Sequence, residues 1–304
     1  MSARWDVIGV GANSIDFVYR LPGRPAFDAP ETKMRIAGRA TWCGGQVATA
    51  LAACAALGLS TKYIGAIGND AHGRRMLREL SGRGIDIEHV VTRECENAYA
   101  VILVDDASGE RIVLWDRPAA LALTPDDLPA DILASARLVH VDDVDQPAAI
   151  AAARLARGAG LHVTSDIDRI TDQTWDLLRS VTVAILAEHV PAALTGERDA
   201  DRALVKLRRG CAGMLCVTRG RRGAVLLDGD RVYRAPALDV RAVDTTAAGD
   251  VFRGGFIRAL LAGWPPEAVL HYANAAAGVS CTRDGAMNSV PSPADMHRFG
   301  EPDP

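Results

Sequence analysis

Hydrophobic and polar positions along this chain follow two alternating periods. Short apolar runs at 138–141, 181–186 and 214–218 have the length and β-branched content of buried strands. Between them, residues 146–159 are alanine-rich and residues 202–209 have helical spacing. Because strands that alternate with helices cover both faces of a parallel sheet, the pattern predicts an α/β fold with a mostly parallel central sheet and helices on both faces.

The same pattern extends towards both ends of the chain. An alanine-rich helix predicted at 46–57 is followed by Gly58, where a left-handed residue is needed to end a helix. Asp70 is placed to cap a helix that runs through Leu80. Further strands are predicted at 7–12, 61–64, 162–166, 224–227, 231–234 and 240–243, and further helices at 174–178, 251–261 and 268–282.

Extra strands interrupt this alternation in the first third of the chain. They are predicted from extended or alternating runs at 14–22, 33–36, 98–104 and 111–115, the last two flanking a turn at 105–109. Such strands in an otherwise β/α chain predict a small β-sheet lid over the main domain. We therefore expect a single domain over 1–304, with lid segments inserted at about 14–41 and 97–116.

Composition and charge narrow the class of protein. The 304 residues are 49% hydrophobic and 24% charged, which is ordinary for a soluble globular enzyme. The net charge of −4 argues against nucleic acid or an anionic membrane as a bulk electrostatic partner. Six cysteines without a CxxC pair are expected to be free thiols, and no apolar run reaches the roughly 18 residues of a membrane span. With no signal peptide evident, a cytoplasmic location is expected.

Residues 244–256 hold the stretch most informative about chemistry. A turn of small residues at 244–249 leads into the predicted helix, and Asp250 lies in the first turn of that helix. Free backbone N–H groups at a helix start form an anion site, and small side chains let a phosphate approach. The alternative interpretation is that Asp250 simply favours the start of a helix, as acidic residues do.

The string from Asp244 to Phe252 resembles the second signature of the ribokinase/PfkB carbohydrate kinase family. The resemblance implies a ribokinase-like three-layer sandwich with a β-sheet lid. It also implies that Ala247, Ala248 and Gly249 present backbone amides to a transferring phosphoryl group. Asp250 would be the base that accepts the proton of a sugar hydroxyl. The family usually has Gly at the position of Ala247, and alanine keeps the N–H while narrowing the allowed backbone angles.

Two further matches in the first 50 residues imply an acceptor site. Asn13 and Asp16 match the place where family members hydrogen-bond sugar hydroxyls, and Gly44 and Gly45 precede a helix like that of the first signature. Thr49 stands where the family usually has Asn, so a hydroxyl replaces an amide contact. Simpler interpretations stay open: Asp16 as a charge on a strand edge, and the small residues as tight helix packing.

A nucleotide site is implied near the end of the strand predicted at 214–218. Thr218, Gly220 and Gly223 match the Thr-x-Gly-x-x-Gly turn of the family, in which glycines let the backbone approach ATP. Asn274 and the small residues after it would flank adenine. A plain turn is the alternative at 218–223. The sequence has no GxxxxGK[ST] loop, which excludes a Walker-type ATPase.

Metal binding is the least defined part of the resemblance. The Asn-x-x-Glu motif of the family falls near 187–190, where Ala and Val replace Asn and Glu. Asp166, at the end of a predicted strand, is a candidate ligand. Mg²⁺ is expected to accompany ATP, because it neutralises charge on the phosphates. Asp244 and the backbone around it are the candidate for the monovalent-cation loop, for K⁺, that many family members use.

Together the matches predict an ATP-dependent phosphotransferase that phosphorylates a hydroxymethyl group of a small sugar or sugar derivative. Nucleosides are a competing acceptor class within the family. An anionic acceptor is a hypothesis raised by three basic lid residues, with a solvated strand edge as the alternative: Lys33, Arg35 and Arg39. A catalytically weak, sugar-binding regulator on the same fold is a further alternative, suggested by Ala247, Thr49 and the altered metal motif. The resemblance also implies a homodimer formed through the lid.

Overall fold

Strands form the framework of the molecule. The structure, a computed structural model, describes residues 4–25, 33–107 and 111–299. Its strands in chain order are β1 (Trp5–Val10), β2 (Ser14–Leu21), β3 (Gly38–Gly44), β4 (Thr61–Ile64), β5 (Ala66–Gly68), β6 (Val91–Arg93), β7 (Tyr99–Asp105), β8 (Arg111–Asp116), β9 (Ala136–Asp142), β10 (His162–Ile167), β11 (Val183–Leu186), β12 (Met214–Thr218), β13 (Ala224–Asp228) and β14 (Arg231–Ala235).

The central sheet is mostly parallel, as predicted. Across the described residues its strands lie in the order β14-β13-β12-β11-β10-β9-β1-β4. β1, β4 and β9 to β12 pair in parallel, whereas β13 pairs antiparallel with both β12 and β14. Nearly every residue of β9, β10 and β11 is buried, because parallel strands are covered on both faces.

Helices cover both faces of this sheet, which confirms the predicted three layers. The helices in chain order are α1 (Gln46–Ala56), α2 (Ala71–Gly82), α3 (Ala130–Leu133), α4 (Gln146–Gly158), α5 (Thr174–Ser180), α6 (His189–Thr195), α7 (Ala200–Arg208), α8 (Ala248–Leu261), α9 (Pro266–Ser280) and α10 (Pro293–Met296). α1, α2, α8 and α9 pack on one face, and α3 to α7 on the other. The short helices α3, α6 and α10 were not predicted; α3 and α10 have four residues each, too few to show a period.

The lid is a separate sheet with the strand order β3-β2-β7-β8. Its strands lie in the predicted lid segments, except that β3 continues to Gly44. Residues 26–32 of the first segment and 108–110 of the second, which include the end of the turn predicted at 105–109, lie outside the described residues. β8 forms one edge of the lid, and four successive apolar side chains on it are between 46% and 63% exposed: Ile112, Val113, Leu114 and Trp115.

Two predicted strands are wrong. Residues 33–36 are irregular, and the strand that pairs with β2 is β3 instead. All four side chains at 33–36 are exposed, so the alternation of charged and apolar residues there reflects no buried face. Residues 240–243 are irregular, because the Val243 N–H donates to the carbonyl of Cys281, just after α9, rather than to a neighbouring strand.

α1 and α8 pack closely through small residues. A Cβ built on Gly254 of α8 would lie 2.4 Å from the Cβ of Ala53 and 3.0 Å from the carbonyl oxygen of Ala50. Since side chains do not approach this closely, Gly254 is needed for the contact. Gly255 meets Ala276 of α9 in the same way, with a built Cβ at 2.9 Å. These contacts hold the middle of α8 directly against α1 and α9.

The structure bears on two predictions from composition. In the part of the chain that it describes, no helix is both long and apolar enough to cross a bilayer. All six cysteines lie in that part, and each is a free thiol, as predicted. Burial raises the pKa of the Cys43 thiol to about 11, so this thiol is protonated at neutral pH.

Candidate active site

Two cavities meet at the carboxyl ends of the central strands. The lid cavity, of about 460 Å³, lies between the lid and the first turn of α8. The C-terminal cavity, of about 530 Å³, lies between α9, the turn after β12 and the irregular segment 237–242. Within the described residues, the two cavities share the following wall residues: Arg111, Thr218, Thr245, Ala248 and Gly249. The stretch 245–249 therefore forms a partition between two chambers.

A strained turn builds this partition. Asp244 accepts hydrogen bonds from the N–H groups of Thr246 at 2.8 Å and Gly285 at 3.1 Å, which closes the turn. Ala247 then precedes α8 with a φ of 60°, and no other non-glycine among the described residues has a positive φ. This left-handed conformation costs a residue with a Cβ about 1–2 kcal/mol. Alanine at this position therefore keeps the turn that the family builds with glycine, at the cost of strain.

Backbone N–H groups at the start of α8 lie at the partition. The Ala248 N–H donates to the carbonyl of Thr245 at 3.3 Å, and the Val251 N–H donates to the carbonyl of Ala247 at 3.0 Å. Helix geometry leaves the N–H groups of Gly249 and Asp250 without an acceptor inside the helix. Such groups carry partial positive charge and bind anions.

Asp250 lies on the wall of the lid cavity, and so does Asp16. Desolvation raises the pKa of Asp250 well above its ordinary value. The neighbouring carboxylates of Asp166, Asp16 and Asp142 raise this pKa further, whereas Arg253 lowers it. A carboxylate with a raised pKa accepts a proton more readily, so the position and the proton affinity of Asp250 both suit a general base.

A buried ion pair lies next to Asp250. Arg253 Nη2 is 2.6 Å from Asp166 Oδ1, and both side chains are at most 4% exposed. Gln46, at the start of α1, also hydrogen-bonds to Asp166. No role was predicted for Arg253 from the sequence. The signal that could have found it is a charged residue three positions after Asp250, hence on the same face of the helix.

A glycine at the end of β3 makes room for the Asp16 carboxylate, and a second glycine follows it. Ser14 Oγ donates to Asp16 Oδ1 at 2.6 Å. A Cβ built on Gly44 would lie 2.2 Å from Asp16 Oδ2. Gly45 has a φ of 102°, and a Cβ there would lie 2.4 Å from Cα of Asn13. Both positions therefore need glycine: Gly44 leaves room for the Asp16 carboxylate, and Gly45 avoids the backbone of Asn13.

Of the other two predicted acceptor residues, Asn13 is hydrogen-bonded within the protein, and Thr49 is buried away from the described walls of both cavities. Asn13 lies on the cavity wall, but its Nδ2 donates to the Tyr63 hydroxyl at 2.9 Å and to the carbonyl of Ala66 at 2.8 Å. Its Oδ1 accepts from Asn97 at 3.1 Å. Thr49 is fully buried inside α1 and borders neither cavity among the residues described. The structure therefore does not bring Thr49 to the site.

All four residues predicted to contact a nucleotide border the C-terminal cavity: Thr218, Gly220, Gly223 and Asn274. Gly220 and Gly223 have φ values of 53° and 77°. A Cβ on Gly223 would lie 2.0 Å from the carbonyl oxygen of Ala235, so this glycine is needed for packing, whereas Gly220 faces open space. Asn274 donates from Nδ2 to the same carbonyl at 3.1 Å.

Guanidinium groups on the wall of the lid cavity were not predicted. They belong to Arg111, Arg117, Arg169 and Arg253. Arg117 pairs with Asp145 at 2.6 Å, and the Arg169 guanidinium lies 5.0 Å from the centre of the Trp115 ring. The lid residues of the anionic-acceptor hypothesis are exposed and lie outside the described walls of both cavities: Lys33, Arg35 and Arg39.

The side chains near the site do not form a metal-binding cage. In the described ranges, no group of three or more His, Cys, Asp or Glu residues could hold a metal ion. Asp166, the predicted ligand, already binds Arg253 and Gln46. A protein ligand set for Mg²⁺ therefore does not fit these residues, and a Mg²⁺ ion at this site would depend on phosphate oxygens.

Comparison with known proteins identifies the class. The model of the pfkB family of carbohydrate kinases matches residues 6–293. The chain belongs to this family, as the string from Asp244 to Phe252 indicated, and it is a kinase. The central sheet, the helical layers and the lid sheet together are the ribokinase fold.

Individual relatives differ in the substrate that their names give. An ATP-dependent ribose-1-phosphate kinase of Halopiger xanaduensis is 31% identical over 81% of this chain and 82% of its own length. A nucleoside kinase of Methanothermobacter thermautotrophicus is 27% identical over 98% of this chain and 97% of its own length.

Solved structures agree on the fold. A presumed ribokinase from Agrobacterium tumefaciens has a TM-score of 0.87 at 27% identity, with 97% of each chain covered. A presumed ribokinase II from E. coli, in complex with ATP and Mg²⁺, has a TM-score of 0.83 at 21% identity, with 98% of this chain and 99% of that chain covered.

Proposed function

We propose that this kinase transfers the γ-phosphoryl group of ATP to a hydroxymethyl group of a small sugar or sugar derivative. The observation that carries the proposal is the partition: Thr245, Ala248 and Gly249 border both cavities, and Asp250 lies on the side that Asp16 also borders. ATP in the C-terminal cavity and an acceptor in the lid cavity would meet across it.

Asp250 is the proposed base, and the backbone at 247–249 is the proposed anion hole. The acceptor oxygen forms a bond to the γ-phosphorus, the bond from that phosphorus to the bridging oxygen breaks, and ADP leaves with the electron pair. The proton of the hydroxyl passes to Asp250. Amide dipoles at the helix start stabilise charge on the phosphoryl oxygens, which is the main requirement of phosphoryl transfer.

The lid cavity supports a small, uncharged and hydroxyl-rich acceptor. Its volume of about 460 Å³ is in the range of small-molecule sites. Five carboxylates and four guanidinium groups share its described wall, so positive charge is not in excess there. Asp16 can accept hydrogen bonds from sugar hydroxyls, and Gly44 leaves space for its carboxylate. A neutral sugar is therefore proposed over an anionic one.

A nucleoside is the second candidate acceptor. Two aromatic side chains, Tyr99 and Trp115, border the lid cavity, and Trp115 is 63% exposed. Exposed aromatic rings can stack on a base. The similarity to the Methanothermobacter nucleoside kinase supports the same candidate.

ATP and Mg²⁺ are proposed as the phosphoryl donor and its counter-ion, as in the E. coli structure. Thr218, Gly220, Gly223 and Asn274 would hold the nucleotide, and Mg²⁺ would neutralise charge on its phosphates. K⁺ at Asp244 stays a prediction, since both oxygens of that carboxylate already accept backbone hydrogen bonds. Equal activity in potassium chloride and choline chloride at one ionic strength would speak against it.

ADP release across a panel of sugars, sugar acids, sugar phosphates and nucleosides tests the function. We expect turnover with at least one neutral sugar. Asp250→Asn should lower kcat by at least about 100-fold while ATP binding, measured by calorimetry, is retained. Asp230→Asn, an exposed turn carboxylate, is the matched control and should leave kcat unchanged. Tight sugar binding without ADP formation would favour the regulator instead.

The location and the assembly are further proposals. Free thiols at all six cysteines suit a reducing compartment, which supports the cytoplasm. A homodimer through the lid is supported by β8, because this edge strand exposes Ile112 and Leu114 on the side away from the cavity. An apolar edge strand left open to water favours pairing with another strand, and a second copy offers an identical edge.

A further inference from the structure

We propose that Arg111, on the lid strand β8, contacts the phosphoryl group during its transfer and so makes the lid part of the catalytic machinery. This inference rests on the proposed function. It adds a residue that neither the family signatures nor the anion hole includes, and it concerns how the lid takes part in the reaction.

The position of Arg111 carries the inference. Among the described lid residues, Arg111 is the one that borders both cavities, whereas the rest of the described lid residues on a cavity wall border the lid cavity alone. Its Nη1 donates to Thr245 Oγ1 at 2.5 Å, and Thr245 belongs to the partition. The guanidinium therefore lies where the phosphoryl group must cross.

The chemistry of its partner separates Arg111 from other arginines on the same wall. Arg253 is committed to Asp166 at 2.6 Å, and Arg117 to Asp145 at 2.6 Å. Within the described residues, the hydrogen-bond partner of Arg111 is a neutral hydroxyl. Exchanging a hydroxyl for a phosphoryl oxygen is favourable for a guanidinium, because hydrogen bonds between charged partners are roughly twice as strong.

Arg111 is thus available at the step in which charge moves. The acceptor oxygen bonds to the γ-phosphorus, the bond to the bridging oxygen breaks with its electrons going to ADP, and the proton goes to Asp250. The Arg111 N–H groups would release Thr245 and donate to the oxygens of the moving phosphoryl group. Cationic contacts of this kind act mainly on the transition state, so Arg111 should affect kcat more than KM.

The test is Arg111→Ala in the full-length enzyme with its best acceptor. We expect kcat to fall by about 100-fold or more, with KM for ATP and for the acceptor within about threefold. Millimolar guanidinium chloride should restore part of the lost kcat, and Arg111→Lys should retain more activity than Arg111→Ala. Arg78→Ala, which removes an exposed arginine of α2 outside both cavities, is the control.

A binding measurement keeps the test independent of the acceptor. ADP with aluminium fluoride mimics the transferring phosphoryl group. Arg111→Ala should weaken binding of that mixture at least about tenfold and leave binding of ADP alone unchanged. An unchanged affinity for the mixture, or a loss of kcat that neither guanidinium nor lysine relieves, overturns the inference. Failure of the wild type to release ADP with any acceptor would instead count against the proposed function.

Discussion

At the scale of single residues, Asp250 is set between opposing charges. The carboxylates of Asp16, Asp142 and Asp166 oppose its ionisation, and Arg253 favours it. A base must be ionised to accept a proton, so if Asp250 is the base, as proposed, activity should fall when the pH drops through its pKa. Since that pKa is raised, the fall begins at a higher pH than for an ordinary aspartate.

Arg253→Gln should move the acidic limb of the pH profile of kcat/KM to higher pH. The variant removes the cation that lowers the pKa of Asp250, so a larger fraction of the enzyme is protonated at a given pH. Asp166→Asn should move the limb to lower pH, because a neighbouring negative charge is lost. Both variants break a buried ion pair, which costs about 3–5 kcal/mol, so profiles are taken well below the melting temperature.

Arg258→Gln, farther along α8, is the matched control for this pair of variants. If the acidic limb of the kcat/KM profile stays in place in both Arg253→Gln and Asp166→Asn, Asp250 is not the group whose ionisation the profile reports. A shift of both limbs in the same direction would contradict the assigned signs.

The effect of alanine at position 247, where the family usually has glycine, could be predicted only in part from the sequence. Alanine was expected to narrow the backbone angles, and the structure keeps the left-handed turn in spite of it. The sequence could not show whether the turn would change shape or store strain, because that depends on the contacts of Asp244 with Gly285, 41 positions away.

At the scale of elements, the junction of β3 and α1 positions the Asp16 carboxylate on the wall of the lid cavity. The end of β3 lies beside Ser14 and Asp16 of β2, since Gly44 pairs with Ser14 and Trp42 with Asp16. Space for the carboxylate depends on the missing side chain at Gly44. The helix that follows then contributes Gln46 to the cavity wall.

Gly44→Ala should raise KM for the acceptor by about tenfold or more and leave KM for ATP unchanged. The new methyl group would lie 2.2 Å from Asp16 Oδ2, so the carboxylate must move from its place. Gly38→Ala, on the same strand, is the control, because the nearest atoms to its new methyl group are 3.8 Å away. Steady-state kinetics with varied acceptor measures both variants, and equal KM values for them would contradict this account.

Regular elements were predictable because their signals are local. The apolar runs and alanine-rich stretches marked the central strands and the long helices, and Asp70 caps α2 as predicted, accepting from the Gly73 N–H at 2.8 Å. The strands at 33–36 and 240–243 were wrong because a short alternating pattern does not show whether a partner strand is present. Pairing is a property of the whole sheet.

At the scale of the whole molecule, the site depends on which distant segments meet. The signature around Asp250 and its place beside Asp16 were predictable, since each belongs to a motif of the family. Arg111 and Arg253 belong to no such motif, and their relation to Thr245 and Asp166 exists only in the folded chain. Thr49 shows the reverse case, a motif position that the fold buries.

Leu114→Glu should convert a lid dimer to a monomer. The Leu114 side chain is 55% exposed on the open edge of the lid, and a charge there opposes pairing of two such edges. Sedimentation velocity measures the mass in solution. Leu155→Glu, a change at a leucine of α4 that is 43% exposed, is the control and should leave the mass unchanged. A wild-type chain that sediments as a monomer would remove the proposed dimer.

The tight contact of α1 with α8, through Gly254 and Ala53, has a consequence for how new specificities can arise. The packed pair of α1 and α8 carries both the proposed anion hole at the start of α8 and the proposed base, Asp250, whereas the lid strands form a separate sheet. Substitutions in the lid could therefore change the preferred acceptor while the residues proposed for phosphoryl transfer stay the same. The varied substrates of relatives on a shared architecture are what such a division of labour would produce.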